Sequence, residues 1–512
     1  MSDHSRSLPD HPSLRYLKIE AKRRLRTGEF GSLDEAQLAI AREHGHPSWA
    51  ALKRVVESTN PPQRHASRQL RWIAARFADA GAPTWHAPSE SELREHFHEQ
   101  LLEAMPPDEL LPRLRSLAPR LHRGPVLVED TATHALARLE SEDLGAVAQL
   151  QAVVEPVPPH RLVGLRVYPT AKVEDPRLTA PANRTEGRVP AVASELAARA
   201  FAELGLPGLA LAGADARDGV WALARGWAAL EPLVPLTNRH RFPAGSVTTL
   251  VTATAVLRLV ADGRVGLDDP ANRHLSTVRL ADSAVTVREL LSHTGGVVMP
   301  DRPPTDREAD SVPDPRDLFG PVIPCAGQRG RHVHSDWGYV ALGLLVENLT
   351  GSPCPQAVAD LVLRPLGMDD SFVPTERPSA FGAEAVVTGY VASGDDGSLR
   401  SWPERVSTVP AASGLWTTAS DLARFGLGWH ALLPDELARQ ALTPQADLPG
   451  GSHAGLGWLL DRTGDIAGHE GHLPGASASL VLRVRDRRVH VALANRSVPV
   501  EPVNGRILRA LG

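Results

Sequence analysis

Apolar residues recur at helical spacing in some stretches of the chain and fill short continuous runs in others, and this alternation lays out its elements. Leu14, Leu17, Ile19 and Leu25 predict a first helix, with Ser13 placed to cap it. Ser32-Leu-Asp-Glu35 has the form of a capping box for a second helix through Ala36, Leu38 and Ile40. His44-Gly45-His46-Pro47 breaks that helix, and Ser48 opens a third through Leu52 and Val55. Thr59-Asn60-Pro61-Pro62 reads as a linker. Leu70, Ile73, Ala74 and Phe77 then fit one helix. Ser89 to Leu102 fits another, with Leu93, Phe97, Leu101 and Leu102 on one side, and Asp108 caps a further one through Leu114 and Leu117. Four strand-like runs follow, at Pro125–Glu129, Ala135–Leu139, Ala146–Val154 and Arg161–Val167.

Pro169 to Pro190 is polar and interrupted by prolines, the pattern of a connector. Beyond it, Ala191 to Leu204 predicts a helix and Leu209 to Gly226 a strand pair. Phe242 and Gly245 lead into Ser246, and Leu250, Val251, Ala253, Ala255, Val256 and Leu259 follow at near-helical spacing. Ser246 therefore stands at the start of a buried helix, near the positive end of its dipole and its unpaired N–H groups. Two strands, Ala478 to Val484 and Val489 to Ala494, and a last helix close the chain. The pattern divides it into a helical unit (1–58), an α+β domain (65–170), a linker (171–190) and a larger domain (191–512).

Composition narrows the function classes. A chain of 512 residues exceeds one core. At 42% hydrophobic and 22% charged it is globular, and a net charge of -5 gives no case for nucleic acid. Cys325 and Cys354 are the only cysteines, which excludes a disulfide framework. The opening Met-Ser-Asp-His-Ser-Arg lacks the charged-then-apolar pattern of a leader, and no run of about 18 apolar residues appears. The expectation is a cytoplasmic protein without a membrane span; a homo-oligomer is left open. Lysine usage is informative: the four lysines are Lys18, Lys22, Lys53 and Lys172, and none follows.

Ser246-Val-Thr-Thr249, Leu290-Leu-Ser-His-Thr-Gly-Gly296, Trp337-Gly-Tyr339, Arg364-Pro-Leu-Gly-Met368, Leu415-Trp-Thr-Thr-Ala-Ser-Asp421, Gly455-Leu-Gly-Trp458 and Gly468-His-Glu-Gly-His472 occur in this order. Together they resemble the serine β-lactamase, penicillin-binding protein and esterase superfamily, in its class C and esterase branch. The resemblance implies a β-lactamase/transpeptidase-like fold, an antiparallel sheet flanked by helices, for the C-terminal domain. Residues 65–170, helices followed by a curled antiparallel sheet, resemble the cone-shaped isomerase/cyclase-like (NTF2-like) domain that precedes a lactamase domain in the clavulanate-pathway lactamase-like protein. The first unit resembles a short helical module attached to assorted actinobacterial proteins.

Such enzymes use a serine with a lysine three residues on, a Tyr-x-Asn, and a Lys-Thr-Gly or His-x-Gly strand that helps form the oxyanion hole. Here the lysine position holds Thr249, and Tyr-x-Asn has become His334-Ser335-Asp336. His469-Glu470-Gly471 keeps the His-x-Gly form. Arginine cannot replace the lysine, because it has no neutral form to accept a proton. Two readings follow. In one, the site binds an acyl, ester or amide small molecule without Ser-Lys chemistry, and Ser246 caps its helix. In the other, Ser246 is the nucleophile, His334 its base and Asp336 the residue that orients the imidazole. A third places the chemistry in the middle domain, with the lactamase-like domain as scaffold. Thr249, His469, Gly471, His472, Trp337 and Trp416 are the candidate pocket and oxyanion residues, Trp458 a core residue and His293 a structural one. His332 with His334, or His469 with His472, lack a matching acidic third ligand at helix spacing, so neither a metal nor a cofactor is expected.

Overall fold

The computed structural model describes residues 14–511 apart from 28, 45, 47, 50–51, 53–63, 83, 116, 122–125, 131–132, 141–145, 172–174, 179–182, 218, 299–311, 315–316, 318–319, 382–385, 393–397, 405 and 449–450. Helices α1 (Leu14–Arg26) and α2 (Leu33–Glu43) bury Leu17, Ala21, Ala36, Ile40 and Ala41 together. Ser32 accepts the Glu35 N–H at 3.2 Å, but the Glu35 carboxylate accepts from Gly31 N–H at 3.0 Å instead of Ser32. The expected capping box therefore reaches one residue further back. Ser13, Val55 and the linker Thr59–Pro62 lie outside the described residues.

Helix α3 (His65–Phe77) buries Leu70, Ile73, Ala74 and Phe77 in a core shared with an antiparallel sheet. The sheet runs in chain order through β1 (Val126–Asp130), β2 (His134–Glu140), β3 (Ala146–Val154) and β4 (Leu162–Ala171). The single helix expected over Ser89 to Leu102 is two, Glu90–His96 and Glu99–Ala104. Between them Phe97 is extended and bridges to Leu162, and His98 N–H donates to the Leu162 carbonyl at 2.8 Å. Pairing with the sheet and burial of the Phe97 ring override the helical period there.

From β5 (Asn183–Glu186) onward one sheet dominates. Among the described residues it has ten antiparallel strands. Its centre is β6 (Gly208–Asp215) and β7 (Gly219–Leu230) beside β8 (Ile466–Leu473), β9 (Ala476–Arg483) and β10 (Arg488–Ala494). β10 pairs with β6, so the first and last strands of residues 191–512 lie side by side. β5, within the stretch expected as a connector, pairs with Ala222–Arg225 of β7. The strands at the centre are apolar on both faces because both are covered. Leu209 and Leu211 of β6 face α4 (Ala191–Leu204) and α8 (Glu501–Ala510). The smaller Ala210, Ala212 and Ala214 face the cluster built on α5 (Thr248–Ala261), α6 (Asp336–Thr350) and α7 (Ala419–Gly428). In α5, Leu250, Val251, Val256 and Leu259 are fully buried. Each such side chain contributes about 2 kcal/mol by leaving water, which fixes the helix that carries Ser246. The chain is thus a multidomain α+β protein with a β-lactamase/transpeptidase-like sheet flanked by helices. No described helix is long and apolar enough to cross a membrane.

Candidate active site

Gly245–Val247 form a tight turn into α5, with Gly245 at φ 53°. Strand β8 passes directly against this turn. A Cβ on Gly471 would lie 2.0 Å from the Ala244 carbonyl oxygen, and one on Gly245 would lie 3.1 Å from Gly471 Cα and 3.2 Å from His472 N. Only two glycines let the strand come this near, and their contact brings the His472 backbone nitrogen beside the serine turn. Ser246 is half-buried and opens into a cavity of about 520 Å³, whose wall also includes Asp336, Ser413, Trp416 and His472. Ser246 Oγ makes no hydrogen bond to any described residue.

One helical turn on, Thr249 is fully buried and its Oγ1 donates to the Ser246 carbonyl at 2.7 Å. Thr248 Oγ1 donates to the Gly245 carbonyl at 2.6 Å and accepts Leu415 N–H at 3.0 Å. The Thr249 hydroxyl is thus already committed to the backbone.

Ser335 caps α6, accepting Gly338 N–H at 3.4 Å, while its own N–H donates to His293 Nδ1 at 3.1 Å. His293 sits at φ 56°. Its pKa is driven well below the ordinary value by burial, and further by the imidazoles of His334, His332 and His469. It is therefore a neutral acceptor that locks the backbone before α6, the structural part expected of it. His334 Nε2 lies 3.2 Å from Asp336 Oδ1, so the two side chains do meet. The His334 ring stands 4.6 Å from that of His293 and 6.4 Å from that of His469. It is not among the residues lining the cavity and makes no hydrogen bond to Ser246. Tyr339 Oη donates to the Leu291 carbonyl at 3.0 Å, and burial raises its pKa, so it is no substitute proton carrier.

His469 is buried and its Nδ1 donates to the Glu470 carbonyl at 2.8 Å. Burial, then the neighbouring His334, lowers its pKa to about 4. His472 stands three residues along the same strand, on the opposite face, so the two histidines cannot share a ligand. His472 instead meets Glu501 Oε1 at 2.7 Å and Glu470 Oε2 at 3.7 Å. Burial opposes its charge, but hydrogen bonds to the Glu470 and Glu501 carboxylates outweigh that and raise its pKa to about 9. Glu501 is shifted upward in turn, by burial and by the Glu470 charge. Ligand atoms of Glu470, His472 and Glu501 lie within 4.8 Å of one another, an arrangement able to hold a cation.

The acidic partners of His472 stand at strand spacing and on a helix, not at the helix spacing where the sequence offered none. Glu470, two positions away on a strand, shares its face. Glu501 comes from α8 and had no spacing signal. His332 and His334 do not converge: His332 is half-buried with its ring 5.6 Å from His293 and its pKa lowered to about 4 by loss of solvent and then His334. Trp337 is buried in the core beneath the site, whereas Trp416 lines the cavity. Trp458 packs on Phe425 and Trp429, with ring centroids 6.3 and 5.0 Å away.

Residues 192–511 match the family model described as Beta-lactamase. The chain belongs to the beta-lactamase family. Among its relatives, the esterase EstB of Burkholderia gladioli is 31% identical over 287 residues, covering 48% of this chain and 71% of that one. Penicillin-binding protein 4* of Bacillus subtilis (strain 168) is 24% identical over 317 residues, 56% of this chain and 68% of that one. The octameric penicillin-binding protein homologue from Pyrococcus abyssi shares the fold, with a TM-score of 0.55 at 22% identity over 62% of this chain and 76% of that one. This member of the beta-lactamase family carries Ser246 at the opening of α5, with β8 packed against the serine turn and Thr249 one helical turn on.

Proposed function

We propose that this chain binds an acyl, ester or amide small molecule in the Ser246 cavity without Ser-x-x-Lys chemistry. The observation that carries the proposal is Thr249, buried and bonded to the Ser246 carbonyl, while nothing described accepts the proton of Ser246 Oγ. A neutral hydroxyl is a poor nucleophile near pH 7. The Ser246 N–H, with the His472 backbone nitrogen beside the turn, offers a site for a carbonyl oxygen, while the Val247 and Thr248 N–H groups are spent on the turn itself. Trp416 and Pro243 supply apolar wall. Binding here polarises a carbonyl without breaking a bond.

A second reading is an esterase or acyltransferase, and the His334–Asp336 pair favours it, since Asp336 also reaches the cavity. In that reading His334 takes the Ser246 proton and Ser246 Oγ bonds to the acyl carbon. The ester oxygen leaves with the proton, and water or an alcohol then releases the acyl group. Turnover of a nitrophenyl ester by wild type, Ser246→Ala and His334→Ala separates the readings. Saturable binding with no turnover in wild type supports the first, and loss of turnover in both variants supports the second. Turnover untouched by either variant moves the chemistry to residues 65–170. A β-lactam is expected to leave no acyl-enzyme mass shift. The proposal includes the division into 1–58, 65–170, 171–190 and 191–512, and assembly into a homo-oligomer, as the Pyrococcus abyssi homologue assembles.

A further inference from the structure

On the sheet face away from Ser246 there is a second cavity of about 460 Å³. His490 of β10 shares its face with Ala492 and Ala494, which pack beneath α4 and α8, while Val489, Val491 and Leu493 face the serine side. The cavity wall includes Arg188, Pro190, Asp215, Trp221, Arg488 and His490. Four features point to a ligand. His490 is 1% exposed, and neither Nδ1 nor Nε2 has a hydrogen-bond partner. Buried polar side chains are normally paired, so an imidazole left open towards a cavity calls for an occupant. Arg488 gives one N–H to the Leu511 carbonyl at 2.6 Å and retains the rest of its fork. Arg188 is exposed at the rim. Pro190 and Ala191 open the 14-residue helix α4 at the cavity with no side-chain cap; Ala193 and Ser194 donate to the Pro190 carbonyl, which leaves the N–H groups of Ala191 and Val192 for a ligand.

Two carboxylates act on His490: Asp486, which is held by Arg483 at 2.6 and 2.8 Å, and Asp215 in the cavity wall, which accepts Arg217 N–H at 2.8 Å and is the one that stands against an anion. Two guanidinium groups and a helix N-terminus outweigh it. The apolar wall is Trp221, whose indole lies so close across Gly213 that a Cβ there would meet it at 2.6 Å. That contact holds the ring in one place. We propose that this cavity binds a small organic anion, a carboxylate on a flat apolar body. Arg188, Arg488 and the opening of α4 take the carboxylate, His490 completes the hydrogen bonding, and Trp221 covers the body.

Titration calorimetry on the full chain with sodium benzoate, and separately with inorganic phosphate, tests this. Saturable benzoate binding is expected in wild type. Arg188→Ala, a rim change that leaves the core intact, should weaken it about tenfold, the size of one charge-assisted hydrogen bond. His490→Gln should weaken it too, and circular dichroism confirms that each variant is folded. Because Arg188 lines this cavity and not that of Ser246, its effect separates the two sites. No saturable benzoate binding, or equal affinity in wild type and Arg188→Ala, overturns the proposal. Phosphate binding as tightly as benzoate overturns the part assigned to Trp221.

Discussion

Thr249→Lys puts an amine where the wild-type chain has none. Thr249 is fully buried one turn beyond Ser246, so residue 249 shares the helix face of the serine. The exchange removes the 2.7 Å hydrogen bond to the Ser246 carbonyl, a net loss of about 1 kcal/mol. The longer side chain adds about 1–3 kcal/mol of crowding, eased where its head reaches the cavity beside Ser246. Burial disfavours the ammonium, so the amine's pKa falls toward the range of a general base. General-base catalysis contributes about 10²–10⁴ in rate, or about 2.7–5.4 kcal/mol off the barrier. The variant should therefore be less stable by a few kcal/mol and yet acylate at least about a hundredfold faster than wild type. The assay is the nitrophenol burst from a nitrophenyl ester, with intact mass to locate the acyl group and a thermal melt to confirm folding. A wild-type burst as fast as the variant's would mean that a proton acceptor for Ser246 already exists. A folded variant with no gain would show that Ser246 Oγ is not presented to an acyl carbon.

Gly471→Ala should drive a methyl group to 2.0 Å from the Ala244 carbonyl, a clash with backbone that no rotamer relieves. The expected cost is about 3 kcal/mol, a fall in Tm of roughly 6 °C; an unchanged melt would mean that the strand and serine turn are not held together as described. In acid, His332, His469 and His490 titrate at about 4 in the fold, lowered in each case mainly by burial. The unfolded chain binds those protons from about pH 6.5 downward, so stability present above 6.5 is lost as pH falls towards 4. Tm should drop across that window, and a flat profile would contradict it. In alkali the sign reverses for His472, raised to about 9 by Glu470 and Glu501 against the opposing effect of burial. Its contribution is present below pH 6.5 and is lost as pH rises through 9, so the Tm gap between wild type and His472→Gln should narrow from pH 7 to 10; a constant gap would remove the ion pair from the account.

Elements decided by local pattern were legible. Helix α4 has the expected bounds Ala191–Leu204, and β9 and β10 fall within two residues of the closing strands read from alternation. Ser246 stands where its dipole position was expected, at the opening of α5. What escaped was set by partners distant in sequence. Phe97 looks helical by spacing, yet leaves the helix because Leu162 offers an edge to pair with. Asn183–Glu186 carries no strand-like burial, being exposed throughout, and is ordered by hydrogen bonding to β7 alone. His334 and Asp336 meet as their spacing allowed, but α6 begins at Asp336, and this change of backbone leaves the imidazole outside the cavity its partner lines. Glu501 joins His472 only because α8 folds back across the sheet.

The glycine at position 471 shows where the two functional readings part. From the motif alone it belongs to an oxyanion strand, which suggests catalysis. In the structure its requirement is steric: without it β8 could not lie against Ala244 and Gly245. That contact serves a protein that merely cradles a carbonyl as well as one that attacks it. The scaffold around Ser246 is therefore common to both readings, and no measurement of its rigidity distinguishes them. They differ in the destination of one proton, from Ser246 Oγ to His334 or nowhere. His334 Nε2 is already held by Asp336 at 3.2 Å, which leaves only Nδ1 for the serine. A working relay has to hold both contacts together, Asp336 on one ring nitrogen and Ser246 on the other. The structure has only the first, and a serine whose proton has no acceptor binds without turnover.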